Sequence, residues 1–469
     1  MKKTLLSLGL LGLVGSAQAQ WVAVNQNNVQ TPPNYNITHV HTVSPTVMWG
    51  VAEEAVANST ATTFVKTNNA AGTDFDFNAV TGTTGFQVAN IFGLTDQTAL
   101  AAQFGNGGEI LRTVDGGNSW RKVTTVTQFA GSQGGFANFV AMFDANEGVS
   151  FGDPVGGNFE ILRTTNGGTS WTRVPNSSLN MTPLTADEYG VVNSFFVLGN
   201  TIWAGSSHVA GTTPLVGRIF KSNDRGLTWN AYNTPLMGGV SHIAFTDAMN
   251  GIASIGVNLA RTTDGGITWT SITPANNANG RFYWFSIDAV PGTRNFISVG
   301  GALASMNTAS DFGSSYSSDG INWRDIDRSS PGNVNIYFAV DAISNNNAYA
   351  GGRSNAMSGA GGIYRWGGAV LTPTRTLGTG NAALQKSLSV YPNPSANGVF
   401  KLTIGETLKT GASVRVVDAL GRQVLSQELS ATNIAAQSVN LDLSKEKAGV
   451  YTLQVRTESG VAQQKLVIE

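Results

Sequence analysis

The chain has 469 residues, of which 56 are glycine, and charged residues make up only 12%. Because an average globular chain has about 7% glycine and about 25% charged residues, this composition argues against a helical protein and predicts short strands joined by many turns. The net charge of −1 gives no reason to expect binding to nucleic acid, and the absence of cysteine excludes disulfides, thiolate metal sites and cysteine nucleophiles.

The first 19 residues have the pattern of a secretory signal peptide. Lys2 and Lys3 precede a short apolar stretch, Leu5 to Val14, and Ala17-Gln18-Ala19 has the small residues of a cleavage site before Gln20. The apolar stretch is too short to span a membrane, and no later stretch is longer. We therefore expect the mature chain to begin at Gln20, to leave the cytoplasm and to have no transmembrane span.

A short motif recurs along residues 20–370. It combines a Thr or Ser, an Asp or Asn, glycine and a Trp, and the Trp residues of successive copies lie 40 to 58 residues apart. This spacing fits a unit of four short strands with their turns, as in one blade of a β-propeller. The acidic or amide residue and the Trp of each copy are Asp115 and Trp120, Asn166 and Trp171, Asp224 and Trp229, Asp264 and Trp269, and Asp319 and Trp323.

Two further units repeat the strand layout without a good motif. They span residues 37–77 and 336–366, which brings the number of units to seven, and the last unit lacks a fourth strand. Trp21-Val22-Ala23-Val24 resembles the strands that follow the motifs. We expect it to pair with the last unit, because this pairing would close the ring and cover two open sheet edges. The sequence thus predicts an all-β fold, with a seven-bladed β-propeller over residues 20–370.

The repeated motif is similar to the Asp box, S/T-x-D-x-G-x-x-W, of sialidase-type propellers. The Arg-Thr-Thr-Asp-Gly-Gly form at 261–266, together with apolar-Asp-Ala turns at 143–148 and 245–251, resembles the photosystem II assembly-factor type of propeller and also the xyloglucan-active glycosidases. In these families the boxes lie on the outer part of each blade, away from the central site. The resemblance implies that the Asp side chains stabilise turns and are not catalytic acids.

The last part of the chain has a different pattern. A stretch rich in Thr, Gly and Pro marks a linker at residues 371–386. Seven short alternating segments follow within residues 387–469, and seven strands in so few residues predict a small immunoglobulin-like β-sandwich.

Several short motifs of this second domain occur in a fixed order. They contain Tyr391, Pro392, Asn393, Pro394, Asp418, Gly421, Gly449, Tyr451 and Lys465. In this order they resemble the type A C-terminal sorting domain of the type IX secretion system. The resemblance implies passage from the periplasm through the outer membrane by the type IX machinery, removal of the domain, and release or attachment to anionic lipopolysaccharide at the outer cell surface. A fibronectin-like module that binds a surface glycan would explain the strands but not the terminal motifs.

The basic residues do not have the pattern of a sialidase. Such an enzyme needs three arginines around the substrate carboxylate, one of them in an early Phe-Arg-Ile-Pro-like motif. The first arginine of the mature chain is Arg112, which already lies in the second unit. Arg112, Arg163 and Arg261 repeat in register before the boxes, so we expect them on the blade surface.

The acidic residues do not form a recognisable catalytic pair either. A glycosidase needs two carboxylates several ångström apart in a central cleft. Glu53, Glu54, Asp153 and Glu188 fall in candidate loops, and we interpret them as solvated side chains. Nothing in the sequence identifies a catalytic residue.

Two histidines are the remaining candidates for a site. His39 and His41 alternate on a predicted strand and therefore share one face. No third ligand follows at a useful spacing, so a paired surface or channel position is favoured over a metal site. With no phosphate loop or dinucleotide motif, we expect neither a metal nor a cofactor.

These patterns together predict a secreted or cell-surface binding protein that is exported through its C-terminal domain. Its ligand, a glycan, a peptide or another protein, would lie at the channel mouth or on one loop-rich face. Residues 206–215 and 305–315 are the longest predicted extra loops and the best candidates for specificity. The alternative is an extracellular glycoside hydrolase of sialidase-like or xyloglucanase-like type.

Overall fold

The structure is a computed structural model. It describes residues 21–24, 35–55, 60–81, 85–209, 216–277, 279–302, 308, 311–329, 335–353, 362–366, 386–404, 413–418, 423–429, 431–457 and 460–469. These residues belong to two compact units, 1–372 and 373–469. The predicted signal peptide and nearly all of the predicted linker lie outside the described residues.

The described strands of the first unit form seven sheets, so the unit is a seven-bladed β-propeller. Five of the sheets are antiparallel and contain four consecutive strands, whereas blade 4 includes one additional, parallel strand and blade 7 includes one strand from elsewhere in the chain. Blades 1 to 3 contain β2 (Tyr35–Ser44), β3 (Val47–Glu54), β4 (Thr63–Thr67) and β5 (Phe75–Ala79); β6 (Gln87–Gly93), β7 (Ala99–Gly105), β8 (Gly107–Thr113) and β9 (Arg121–Lys122); and β10 (Ala137–Met142), β11 (Gly148–Val155), β12 (Asn158–Thr164) and β13 (Thr172–Arg173).

Blade 4 has a fifth strand, because β14 adds to its outer edge in parallel. Blades 4 and 5 contain β14 (Leu179–Asn180), β15 (Glu188–Leu198), β16 (Thr201–His208), β17 (Val216–Ser222) and β18 (Trp229–Met237); and β19 (His242–Phe245), β20 (Gly251–Ile255), β21 (Asn258–Thr262) and β22 (Thr270–Ile272). Blades 6 and 7 contain β23 (Ser286–Ala289), β24 (Phe296–Gly301), β25 (Phe312–Ser317) and β26 (Arg324–Arg328); and β27 (Tyr337–Ser344), β28 (Asn347–Gly352) and β29 (Ile363–Trp366).

The fourth strand of blade 7 comes from the other end of the propeller. β1 (Trp21–Val24) pairs antiparallel with β29, and Trp21 lies opposite Trp366. The Trp21 ring is 92% buried, meets the Trp366 ring edge-on at 5.1 Å and donates from Nε1 to Ser314 Oγ of blade 6 at 3.0 Å. The predicted closure of the ring is confirmed.

The core of the propeller lies between the blades. Because each sheet is covered on both faces, its inner strands are buried on both faces, and all six residues of β10 are buried. The Trp of a box packs against the preceding blade: the Trp120 ring lies 5.6 Å from the Phe64 ring and 6.3 Å from the Trp49 ring. Gly117, with φ +90°, has space only for hydrogen, because a Cβ there would lie 2.3 Å from Phe64 Cζ.

The second unit is built from two sheets around one core. A three-stranded sheet has the order β30-β31-β34 and a four-stranded sheet the order β33-β32-β35-β36. The elements are β30 (Leu388–Tyr391), β31 (Val399–Ile404), β32 (Ser413–Val417), β33 (Gln423–Glu428), helix α1 (Ala431–Ala436), β34 (Ser438–Asp442), β35 (Gly449–Thr457) and β36 (Gly460–Ile468). Buried side chains of both sheets, such as Leu402, Val416 and Leu453, form a single cluster. The predicted all-β sandwich is confirmed, and α1 is an addition to the predicted elements.

The closure predicts a large loss of stability when the ring of Trp21 is removed. We expect Trp21→Ala to lower the free energy of unfolding by about 3–5 kcal/mol, the usual cost of deleting a buried aromatic side chain. Val22, on the same strand, is 51% exposed, so Val22→Ala should cost less than about 0.5 kcal/mol. Urea unfolding followed by tryptophan fluorescence measures both. Equal losses for the two variants would contradict a specific role of Trp21 in the closure.

Candidate functional site

The central channel of the propeller contains a cavity of about 600 Å³. The innermost strands of all seven blades, β2, β6, β10, β15, β19, β23 and β27, contribute to its wall. Enclosed volume at the axis of a ring is where propellers can hold a ligand, because loops and strands from every blade converge there. This cavity is therefore the candidate functional site.

Most of the innermost strands are irregular where they enter the cavity. In blades 1, 2, 3 and 7 one extra residue interrupts the pairing of the innermost strand with its neighbour. These bulged residues are Thr38, Ala89, Asn138 and Phe338. A bulge redirects side chains and is common beside binding sites. Here three of the bulged residues line the central cavity, and Asn138 lines a smaller cavity next to it.

The innermost strand of blade 4 has a larger bulge at the corresponding position. Four residues, 191–194, lie opposite the single residue Gly205, between the pairs Gly190 with Ser206 and Phe195 with Ala204. Within the enlarged bulge Asn193 has φ +55°, a left-handed conformation that Asn tolerates better than most residues. The bulge reaches across the channel, where Asn193 Nδ2 lies 2.8 Å from His39 Nδ1 of blade 1.

The hydrogen bonds of His39 fix the orientation of the Asn193 amide. His39 Nε2 is 3.0 Å from the carbonyl oxygen of Ile91, so Nε2 carries the proton and donates. Burial lowers the pKa of His39 to about 4, which keeps the ring neutral. Nδ1 therefore accepts from Asn193 Nδ2. Asn193 Oδ1 is then left in the cavity wall, buried and without a hydrogen-bond donor among the described residues.

His41 lies two residues after His39 on β2 and also lines the cavity. Its Nε2 donates to the Gly93 carbonyl at 3.2 Å, and its ring lies 3.9 Å from the ring of Phe92. Burial lowers the pKa of His41 to about 4. The two histidines thus occupy a paired channel position, as predicted. In the described ranges no group of three His, Asp or Glu side chains has the arrangement of a metal site.

Two acidic residues of the cavity bind the main chain of the next blade. Asp288 Oδ2 accepts the N–H of Ala342 at 2.7 Å, and Asp341 Oδ2 accepts the N–H of Thr42. Burial raises the pKa of both carboxyl groups, and the charge of Asp341 raises the pKa of Asp288 further. These acids hold neighbouring blades together. The sequence offered no signal for them, because their partners lie about 50 and 300 residues away along the chain.

The four acids that the sequence placed in loops lie in strands, and the interpretation as solvated loop side chains is wrong for Glu188 and for Asp153, which is largely buried. Glu53 and Glu54 end β3, and Asp153 lies in β11. Glu188 begins β15, is 99% buried, and accepts Arg218 Nη2 at 2.6 Å and Ser206 Oγ at 2.7 Å. The hairpins extend further than predicted, which brings Arg218 of β17 beside it.

The boxes lie between the third and fourth strands of their blades, as in the fourth copy. Thr262 Oγ1 donates to Asp264 Oδ1 at 2.8 Å and accepts the N–H of Gly266 at 2.9 Å. Asp264 Oδ1 also accepts the N–H of Thr268 at 2.9 Å, and Trp269 Nε1 donates to the Gly266 carbonyl at 3.1 Å. Hydrogen bonds from Thr268 lower the pKa of Asp264 to about 2.

The other boxes share the hydroxyl and carboxylate contacts with small differences. Asn166 replaces the carboxylate, and its Oδ1 accepts the N–H of Ser170 at 3.1 Å. The box tryptophans differ in their indole N–H: Trp229 and Trp323 donate to glycine carbonyls at 3.0 and 2.9 Å, whereas Trp120 and Trp171 have no acceptor among the described residues. All five acidic or amide side chains thus accept main-chain N–H groups of their own turns, and none of them lines the cavity. They are Asp115, Asn166, Asp224, Asp264 and Asp319.

The arginines before the boxes bind the main chain of the next blade. Arg112 Nε donates to the Gly167 carbonyl of the next blade's box at 2.9 Å, and Arg163 Nε donates to the Arg225 carbonyl at 3.1 Å. Arg112, Arg163 and Arg261 are all missing from the cavity wall. They do not converge on a substrate carboxylate.

In the second unit the motif around Asn393 binds the terminal strand. Asn393 Nδ2 donates to the Lys465 carbonyl at 2.6 Å, and Asn393 Oδ1 accepts the N–H of Val467 at 2.9 Å. Tyr451 donates from its hydroxyl to the Lys447 carbonyl at 2.6 Å.

Some residues of the predicted sites lie outside the described residues. They are Gly421 of the predicted motif set, and 210–215 and most of 303–310 in the predicted specificity loops.

Comparisons with known proteins identify the second unit. Residues 389–469 match the family described as secretion system C-terminal sorting domain, so the chain carries a type IX sorting domain that directs export to the cell surface or beyond. No curated protein has a sequence that matches the chain. Within the described residues no helix has the length and hydropathy of a membrane span.

Solved structures with a similar fold have low sequence identity to this chain. YCF48 from Cyanidioschyzon merolae is 15% identical, with a TM-score of 0.48 over 74% of this chain and 98% of its own. YCF48 bound to D1 peptide is 13% identical, with a TM-score of 0.48 over 75% and 96%. PorZ of Porphyromonas gingivalis, titled an essential surface component of the type-IX secretion system, is 16% identical, with a TM-score of 0.46 over 92% and 59%.

The box geometry predicts that Asp264 acts as a hydrogen-bond acceptor, so its charge is dispensable. We expect Asp264→Asn to change the free energy of unfolding by less than about 0.5 kcal/mol, because Asn166 fills this role in blade 3. Asp264→Ala removes the acceptor and should cost about 1–2 kcal/mol. Thermal unfolding of both variants tests this. Equal destabilisation by Asn and Ala would show that the negative charge itself is needed.

Proposed function

We propose that this chain is a ligand-binding protein of the cell surface or the extracellular space, carried there by its sorting domain, and that its ligand binds in the central cavity of the propeller. The observation that supports this most directly is the enlarged bulge of blade 4. In this bulge, at the channel axis, Asn193 has a left-handed backbone and a buried Oδ1 with no donor among the described residues. Both features cost free energy, and such costs are concentrated at functional sites.

The export route follows the resemblance of the second unit. The type A assignment, the removal of the domain and the attachment to anionic lipopolysaccharide are parts of this proposal. The contacts of Asn393 with β36, the edge strand of the four-stranded sheet, are consistent with this assignment. The signal peptide at residues 1–19 would supply the first step, transfer into the periplasm.

Hydrolysis of a glycan is the alternative, and one arrangement in the cavity bears on it. Asp288 and Asp341 lie on neighbouring innermost strands and are close enough for the charge of one to raise the pKa of the other. A glycosidase needs one carboxylate free to attack or activate water and one free to donate a proton. Both of these accept main-chain N–H groups of the next blade. We therefore favour binding over hydrolysis.

Removal of the sorting domain should stop export. We expect a chain that lacks residues 387–469 to accumulate in the periplasm, while the full chain reaches the surface or the medium. Immunoblots of periplasm, intact-cell surface and medium measure the distribution. Surface exposure of the shortened chain would show that the second unit is not the export signal.

Ligand binding should depend on the enlarged bulge. We expect Asn193→Gly, which keeps the left-handed backbone but removes the amide, to weaken binding to ligands found on glycan and peptide arrays at least tenfold. Asn180→Ala, on the outer edge of the same blade, is the matched control and should bind as the unaltered chain does.

The same ligands distinguish binding from hydrolysis. Incubation with the full chain should release no product detectable by chromatography. Product release that disappears in Asp288→Asn or Asp341→Asn would replace the binding proposal with the hydrolase alternative.

A further inference from the structure

A second cavity adjoins the central one between blades 3 and 4. It has a volume of about 370 Å³, and it shares Val192 and Ser241 with the wall of the central cavity. Its wall also includes Asn138, Asp153, Phe136 and Tyr189. We call it the side cavity. Because Val192 belongs to the enlarged bulge, the two cavities adjoin at that bulge.

Two polar side chains of the side cavity, Asn138 and Asp153, have acceptor atoms that lack a full set of donors among the described residues. Asp153 Oδ1 accepts Asn138 Nδ2 at 2.7 Å and the N–H of Gly190 at 3.0 Å. The side chain of Asn138 is fully buried, and because Nδ2 points to Asp153, its Oδ1 has no donor among the described residues. A buried acceptor without a donor is costly to leave unpaired. The side cavity is thus built to receive hydrogen-bond donors.

The charge of the side cavity is negative and uncompensated. No Lys, Arg or His lines it, and Asp153 has no ion-pair partner in the described part of the chain. Burial raises the pKa of Asp153 to about 6. The carboxylate is therefore held in an environment that opposes its charge, and a cation placed beside it would remove that penalty. No Lys or Arg of the described ranges lines the central cavity either.

We propose that the side cavity binds a primary ammonium group, carried by a lysine side chain or the amino terminus of a peptide ligand whose remainder lies in the central cavity. The ammonium would donate to the Asp153 carboxylate and to Asn138 Oδ1. Phe136 and Tyr189, which also line the cavity, supply the aromatic surface that such cations favour.

A neutral hydroxyl group satisfies these acceptors less well. It brings one proton to donate where an ammonium brings three, and it leaves the buried charge of Asp153 uncompensated. An anionic group is excluded by repulsion from the same carboxylate. This inference rests on the proposed function, because it assigns the class of ligand for a cavity that opens into the proposed binding site.

The test compares two probes on the full chain by titration calorimetry. One is the Nα-acetyl, N-methylamide derivative of lysine, and the other is the same compound with its side-chain nitrogen acetylated. We expect the first to bind and acetylation to weaken binding at least tenfold. Asp153→Asn keeps an acceptor for Asn138 and Gly190 but removes the charge, and it should weaken binding of the first probe at least tenfold. Asp96→Asn, at an exposed hairpin, is the matched control and should have no effect.

Each other result overturns the proposal. Equal affinity for the two probes on the unaltered chain, a comparison that needs no variant, would show that the ammonium is not recognised. Retained affinity in Asp153→Asn would place the probe elsewhere. If array ligands bind, depend on Asn193 and are neutral glycans unaffected by Asp153→Asn, the side-cavity assignment fails while the proposed function stands. If neither probes nor array ligands bind, both fail.

Discussion

The propeller depends on the pairing of four residues. β1 and β29 join chain segments that are more than 300 residues apart, and without this pairing blade 7 would have three strands and an open outer edge. The closure completes the ring whose innermost strands surround the cavity.

A second set of contacts fixes the blades at the axis. The innermost strand of each blade is a sheet edge with free N–H and C=O groups, which are costly to leave unpaired away from water. Side chains from the preceding blade satisfy several of them: His39 bonds to Ile91, Asn90 bonds to both main-chain groups of Val140, and Asp288 and Asp341 bond to the following blades in the same way. These polar residues at the centre of the ring therefore stabilise the fold, whereas Asn193 Oδ1 has no hydrogen-bond donor among the described residues.

Much of the fold could be predicted from the sequence, because its signals are local and repeated. The boxes place a turn and a packed Trp between two strands, within nine residues. The strands of the second unit alternate clearly enough that the predicted number, seven, is the number observed. The site could not be predicted in the same way. Asn193 contacts His39, which is 154 residues away along the chain. Glu188 contacts Arg218, which is 30 residues away. The enlarged bulge has no sequence signature, because its four residues read as an ordinary continuation of β15.

The closure also determines the order in which the blades can be completed during folding. Bringing distant segments together costs chain entropy that local hairpins do not. When the chain is synthesised from its amino terminus, six blades can complete their own sheets as they appear, but β1 has no partner until β29 has been made. The ring is therefore completed last, by its first strand, and β1 stays unpaired in any chain that ends before β29. Quality control that recognises an open sheet edge could distinguish the complete propeller from every truncated one.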